Sequence, residues 1–322
     1  MFKIKKDNFN NLSAVKILNP NLGIEVQIIE EFGAIVNKYI VNHSPFSFIS
    51  GYQNCDDLMH QHPFFSRSAK LFPFPNRLNL GHYQYNQQSY QLPANFPWSA
   101  HAVHGLVYNQ PFKLIDSQAS EQHAEITLRF STQDLDQSSL HSGYPFGFQL
   151  DIQYRVEASG QLSCSTHITN LGDDTMPMGD AWHPYFTLGC PLDNCTLHMP
   201  DCLELEHQHD LPTGQKTAYD AFSPPSSLEG QCFNHCFEFG SNQSVELTLQ
   251  RQDGLAQLTF QQGSGYRFVQ LYTPDSEPSI AIEPMTCPAD AFNNRIGLIE
   301  LLPNQTISLA WQCHARYSNP SE

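Results

Sequence analysis

"FGFQLDIQYRVEA", residues 146–158, is the stretch that decides the fold class. Phe148, Leu150, Ile152, Tyr154 and Val156 alternate with Gln149, Asp151, Gln153, Arg155 and Glu157. Side chains of an extended chain point to opposite faces in turn, so a period of two marks a strand with one face buried. The same pattern returns in "AEITLRF" (124–130), "SVELTLQ" (244–250) and "TISLAWQ" (306–312). Turn signals separate such runs: "ASGQ" (158–161), "NLGDD" (170–174), "RQDG" (251–254) and "LPNQ" (302–305). Turns this short join antiparallel neighbours. No long stretch carries a 3.6-residue apolar stripe, so helices should be few and short, with residues 52–66 and 285–295 the places for them. The expectation is an all-β, antiparallel sandwich formed by residues 1–322 as one domain.

Composition narrows the partners. The chain has 322 residues, 40% of them hydrophobic, enough for a sizeable core. Its formal net charge is −16, from 16 basic and 32 acidic residues. Such a surface repels nucleic acid and anionic lipid, so neither is expected as a partner. "MFKIKKDNFN" has a basic start but no apolar core of a signal peptide after it, and no run is long enough to span a membrane. Nine cysteines form no compact framework and read as reduced thiols, which places the protein in the cytoplasm. A monomer or homodimer is expected.

Four segments carry ionisable or amide groups among aromatics, glycine and proline: "LFPFPNRLNLG" (71–81), "HAVHGLVYN" (101–109), "DAWHPYFTLG" (180–189) and "SIAIEPMTCPADAFNN" (279–294). None is a nucleotide loop, a nucleophile elbow or a zinc site. Ser279–Ile282 reads as a short strand leading to Glu283, with Pro284 ending regular pairing. A carboxylate there is either a desolvated general base or a strand-end glutamate in a salt bridge. His183 is either a packed core histidine or a proton donor. Arg77 with Asn76 offers a fork of donors for hydroxyls or a carboxylate, or else a surface ion pair. His104 precedes Gly105, which permits close backbone approach to a ligand. His101 and His104, His207 and His209, and His60 and His62 are weak metal pairs, the last two pairs reading as solvated acidic loop. Trp98, Trp182 and Tyr185 are candidates to stack on a sugar, with core packing the better reading of Trp98.

These motifs, in this order, resemble the aldose 1-epimerase (galactose mutarotase) family: "FPFPNRL", "VHGL", "WHPYFTLG", "VQLYTP" (269–274) and "IEPMTCPADAFN". The likeness runs from about residue 25 to residue 312. It implies a large β-supersandwich with an open sugar cleft and an enzyme that exchanges the anomers of a free aldohexose such as glucose or galactose. Glu283 falls on the family's general base and His183 on its general acid. Asn76, Arg77, His104, Tyr185 and Gln270 fall on substrate-binding positions. Asn234, in "FNHCFEF" (233–239), stands where the family usually has an aspartate. The resemblance implies no cofactor and no metal. A hexose-6-phosphate mutarotase and a non-catalytic sugar-binding protein are the alternatives on the same scaffold.

Overall fold

The computed structural model describes residues 1–135, 143–240, 244–275 and 277–319. Its centre is a nine-stranded antiparallel sheet. The order across it is Lys113–Ala119, His123–Ser131, Phe148–Glu157, Leu162–Asn170, Thr306–Tyr317, Ala256–Gln262, Val245–Arg251, Cys195–His198 and Ser226–Ser227. Each strand expected from the alternation is present, and the turn at 158–161 joins two neighbours in register, Val156 opposite Leu162. In Phe148–Glu157 every second residue is buried from end to end.

A second sheet packs over the first. It runs Leu211–Tyr219, Cys202–Gln208, Asn234–Glu238, Phe268–Tyr272, Ile280–Met285, Ala181–Trp182 and Lys70–Leu71, with Tyr185–Phe186 also paired to Ile280–Met285. Three ring contacts stitch the layers: Trp182 with Tyr154 at 5.9 Å, Trp182 with Trp311 at 6.2 Å, and Phe186 with Phe260 at 5.7 Å. Burying side chains of this size contributes roughly 1.5–3 kcal/mol each, so these rings help hold the two layers together. A four-stranded sheet over Lys3–Phe9, Leu12–Asn19, Ile24–Ile29 and Ile35–Ile40 is joined by three two-stranded ladders, one of them pairing Arg77–Leu78 with Ala102–Val103.

Helices are short. Cys55–Phe65 starts where the Asn54 side chain accepts a hydrogen bond from the Asp57 amide at 2.8 Å, while the Asp57 carboxylate accepts from the Gln53 amide at 2.9 Å. A single turn, Ala291–Asn294, is the other α-helix among the described residues. Both lie inside the expected windows. Among the described residues no helix is long and apolar enough to cross a membrane. All nine cysteines are free thiols.

Pro284 departs from expectation. Pairing continues through it to Met285, with Pro284 opposite Val269. The Ile282 and Thr286 amides donate away from that partner, to the Pro184 and Asp180 carbonyls. Pro284 has the same parity, so its missing N–H falls on that side and leaves the ladder with Phe268–Tyr272 intact.

Candidate active site

The second sheet has two faces of different character. In Ile280–Met285, Ile280 and Ile282 enter the main core, whereas Met285 joins a separate small cluster on the opposite face. Glu283 shares the parity of Met285 and so points away from the main core. Val269, Leu271 and Phe237 likewise face the core, which turns Gln270, Tyr272, Cys236 and Asn234 to the same side as Glu283. Register then lines them up: Gln270 opposite Glu283, Cys236 opposite Gln270, and Asn234 opposite Tyr272. The Gln270 side chain donates to Asn234 Oδ1 at 3.1 Å, fixing both amides.

A second wall comes from two loops that clasp each other. The Asn76 and Val103 regions pair, and the His104 amide donates to the Asn76 carbonyl at 2.8 Å. In return the Asn76 amide donates to His104 Nδ1 at 3.2 Å. Nδ1 is thus an acceptor, so neutral His104 carries its proton on Nε2. Burial holds its pKa well below the usual histidine range, which keeps it a neutral N–H donor. Gly105 makes the clasp possible. Its φ is +74°, and a Cβ there would lie 2.1 Å from the Phe72 carbonyl oxygen. Arg77 emerges beside it, donating from Nη1 to Asn76 Oδ1 at 2.9 Å.

His183 reaches the same space from the segment after Ala181–Trp182. Its Nε2 lies 3.3 Å from Glu283 Oε1. Its ring stacks on Tyr185 at 5.0 Å and meets the edge of His104 at 5.3 Å. Its Nδ1 is buried with no hydrogen-bond partner among the described residues. Burial pushes the Glu283 carboxyl well above the usual carboxylate range, against the pull of Arg77. Burial also brings the His183 imidazole down to about 3. Both directions favour a carboxylic acid beside a neutral imidazole over two buried charges, so the pair is a couple that shares one proton.

Phe64, Phe65, Trp98, Tyr185 and Tyr272 wall the cleft, and Asn76, Arg77, His104, Asn234, Gln270, His183 and Glu283 supply its polar groups. Its volume is about 370 Å³, at the small-ligand end of binding sites. Apolar walls, converging amides and one carboxyl–imidazole couple suit a polyhydroxylated ring.

A profile of the aldose 1-epimerase family matches residues 15–313. The chain belongs to that family. It is 30% identical over 251 residues to YihR of Escherichia coli, an uncharacterised protein, covering 72% of this chain and 73% of that one. In fold it is similar to a galactose mutarotase-like protein from Clostridium acetobutylicum, with TM-score 0.86 and 17% identity over 98% of this chain and 99% of the other. Galactose 1-epimerase from Lactobacillus acidophilus is similar as well, with TM-score 0.80 and 16% identity over 99% and 100% of the two chains.

The eight residues that the resemblance of this aldose 1-epimerase family member places at catalytic or substrate-binding positions, Asn234 included, line one cleft. The tryptophans exchange places. Trp98 is 41% exposed and lines the cleft, its Nε1 donating to the Pro63 carbonyl at 2.6 Å and its ring lying 5.3 Å from the Arg77 guanidinium. Trp182 is buried in the seam between the sheets and is not a sugar platform. "MHQHPFF" is helix rather than solvated loop: His62 is buried, with Nδ1 2.8 Å from the Tyr52 hydroxyl. His101 Nδ1 accepts from the Leu80 amide, away from His104's role. Among the described residues no group of three or more side chains is placed to hold a metal. Phe64 and Phe65 were not foreseen, because two phenylalanines after a helical proline carry no signal of which way they face. Asp210 was not foreseen either: its oxygen lies 3.4 Å from Arg77 Nη2, across 133 residues of chain.

Proposed function

We propose that this chain interconverts the α and β anomers of a free aldohexose such as glucose or galactose. The observation that carries the reading is the Glu283–His183 couple, 3.3 Å apart at the floor of a cleft otherwise lined by amides, aromatic rings, His104 and the Arg77 guanidinium. A sugar whose C1 hydroxyl and ring oxygen sit across that couple meets a base on one oxygen and an acid on the other. With the shared proton on His183, Glu283 takes the C1 hydroxyl proton while His183 gives its proton to O5, and the C1–O5 bond opens to the aldehyde. Rotation about C1–C2 offers the other carbonyl face, and closure returns both protons. Ring opening discharges the carboxylate and the imidazolium together, so it ends in the uncharged arrangement that burial favours. Each positioned proton transfer typically contributes about 10²–10⁴-fold. In this reading Arg77, Asn76 and the His104 Nε2–H hold sugar oxygens, Asn234 and Gln270 hold hydroxyls on the opposite wall, and Tyr185 and Trp98 offer ring faces.

A phosphorylated sugar fits less well. Among the residues lining the cleft Arg77 is the one fixed cation, and it already faces Asp210. A purely binding role leaves the proton-sharing couple without a task. Polarimetry of freshly dissolved α-D-glucose and α-D-galactose tests the proposal. Rotation should relax to equilibrium faster in proportion to added protein. A relaxation rate equal to that of buffer for both sugars and a modest panel of other aldoses would defeat it.

A further inference from the structure

Cys202–Gln208 and Leu211–Tyr219 form a hairpin at the edge of the second sheet. Gln208 pairs with Leu211, so His209 and Asp210 alone make the turn. Both have left-handed backbones, φ +51° and +65°. That is the geometry of a tight two-residue hairpin turn, most easily formed by Asn-Gly or Asp-Gly. Here neither residue is glycine, and what the turn delivers is a carboxylate to the mouth of the cleft. Asp210 Oδ2 lies 3.4 Å from Arg77 Nη2. The aspartate side chain is 55% exposed and the arginine 17%.

We propose that Asp210 is a positioning residue: it holds the Arg77 guanidinium in the cleft and sets how much of that positive charge Glu283 feels. Arg77 is gripped on three sides, by Asn76 Oδ1 at 2.9 Å, by the face of Trp98 at 5.3 Å, and by Asp210. Two carboxylates act on it, Asp210 from the solvent side and Glu283 from the floor. They compete for one cation. With Asp210 charged, part of the guanidinium's field is spent at the mouth of the cleft. Without that charge Arg77 is free to lean toward Glu283 and loses the anchor that aims it at a sugar oxygen.

Every element around this pair contributes a group to the balance. The hairpin supplies His207 as well as Asp210, and Arg77 and Asp210 act on His207 in opposite directions. The loop after Val103 supplies His104, and the segment 181–186 supplies His183 and Tyr185. Phe268–Tyr272 supplies Tyr272, and the adjacent strand supplies Cys236, whose thiol is pushed up by burial first and by Glu283 second. His235 sits further out, 3.8 Å from Glu204. Among these, Asp210 is the carboxylate in direct contact with Arg77.

The inference rests on the anomer-exchange reading, and its test separates the two. Asp210→Asn and Asp210→Glu are compared with the wild type in KM, kcat and the pH profile of kcat/KM. The Glu283 carboxyl is titrated in parallel by ¹³C NMR, its resonance assigned by its loss in Glu283→Gln. Removing a nearby negative charge makes a carboxylate easier to form, so the Glu283 midpoint and the acid limb should both move down. The expected shift is roughly half a pH unit, the size of one partly screened charge. KM should rise about fivefold, the value of a favourable half-exposed ion pair, with kcat within about twofold. Asp210→Glu should restore KM and the midpoint. An unmoved midpoint in Asp210→Asn, or an unchanged KM, overturns the proposal. If the wild type equilibrates no aldose, the function is what fails, and the midpoint alone then judges the clamp.

Discussion

Asp180 and His183 are three residues apart, and each faces a partner of opposite potential charge, yet the two pairs are built differently. Asp180 pairs with Lys70, and neither side chain is exposed at all. Asp180 Oδ1 meets the Lys70 ammonium as an ion pair and makes no further hydrogen bond among the described residues. Asp180 Oδ2 accepts from the Tyr266 hydroxyl at 2.8 Å. Lys70 Nζ donates to Thr166 Oγ1 at 3.3 Å and lies 4.6 Å from the centre of the Trp182 ring. The Asp180 amide donates to Thr286 Oγ1, and the Thr286 amide returns a bond to the Asp180 carbonyl, each at 2.9 Å. His183 and Glu283 have the opposite design. They open on the cleft, their polar atoms stand 3.3 Å apart, and His183 Nδ1 has no partner among the described residues. A buried polar group left short of partners is held at a free-energy penalty. The sealed pair anchors the strand that carries His183, while the open couple keeps spare valence for a ligand.

The comparison breaks most sharply at the couple. Glu283→Gln and His183→Asn should each lower kcat by about 10²–10⁴-fold, the range of one positioned proton transfer, with thermal unfolding little changed. Stopped polarimetry alongside calorimetry measures both. Asp180→Ala should do the reverse. It strands the Lys70 charge in the core and should lower the unfolding free energy in urea by roughly 3–5 kcal/mol, with activity per folded molecule largely kept. Replacing the pair and its tyrosine, as Lys70→Met with Asp180→Leu and Tyr266→Phe, should recover most of that loss, because apolar groups of similar size leave only the buried Thr166 hydroxyl short of its partner. A triple variant as unstable as Asp180→Ala would show that the network shapes the strand by more than charge pairing. The smallest effect belongs to the cleft wall. Asn234→Asp introduces a charge-assisted acceptor beside Gln270 and should shift KM for one sugar several-fold, since such bonds are about twice as strong as neutral ones. An unchanged KM across glucose and galactose would place Asn234 outside the sugar's reach.

What the sequence revealed follows the range of the physics involved. Alternation is local, so Phe148–Glu157 and its neighbours are legible residue by residue. Glu283 and His183 stand out through their motifs, yet their meeting depends on Tyr185–Phe186 and Ala181–Trp182 both pairing with Ile280–Met285, a contact across about 100 residues. The tryptophans were misplaced for a related reason. "NFPWSAHA" is a loop whose course is set by Pro63 and Arg77, partners distant in the chain. Trp182 follows strand parity into the seam one residue before His183 turns out of it. Pro284 misled because a proline disrupts a sheet only on the side where its amide would have donated. The Asp210 contact leaves no trace in the sequence, since a two-residue turn of His and Asp looks like any polar loop.

The most direct test of the account is two-dimensional exchange ¹H NMR on equilibrated glucose and galactose, with the wild type and Glu283→Gln side by side. Cross-peaks between the α and β H1 signals should grow with wild-type concentration and stay at the buffer level with Glu283→Gln for at least one of the two sugars. Cross-peaks of equal strength with both proteins, or none above buffer with either, would contradict the claim that the open Glu283–His183 couple exchanges sugar anomers.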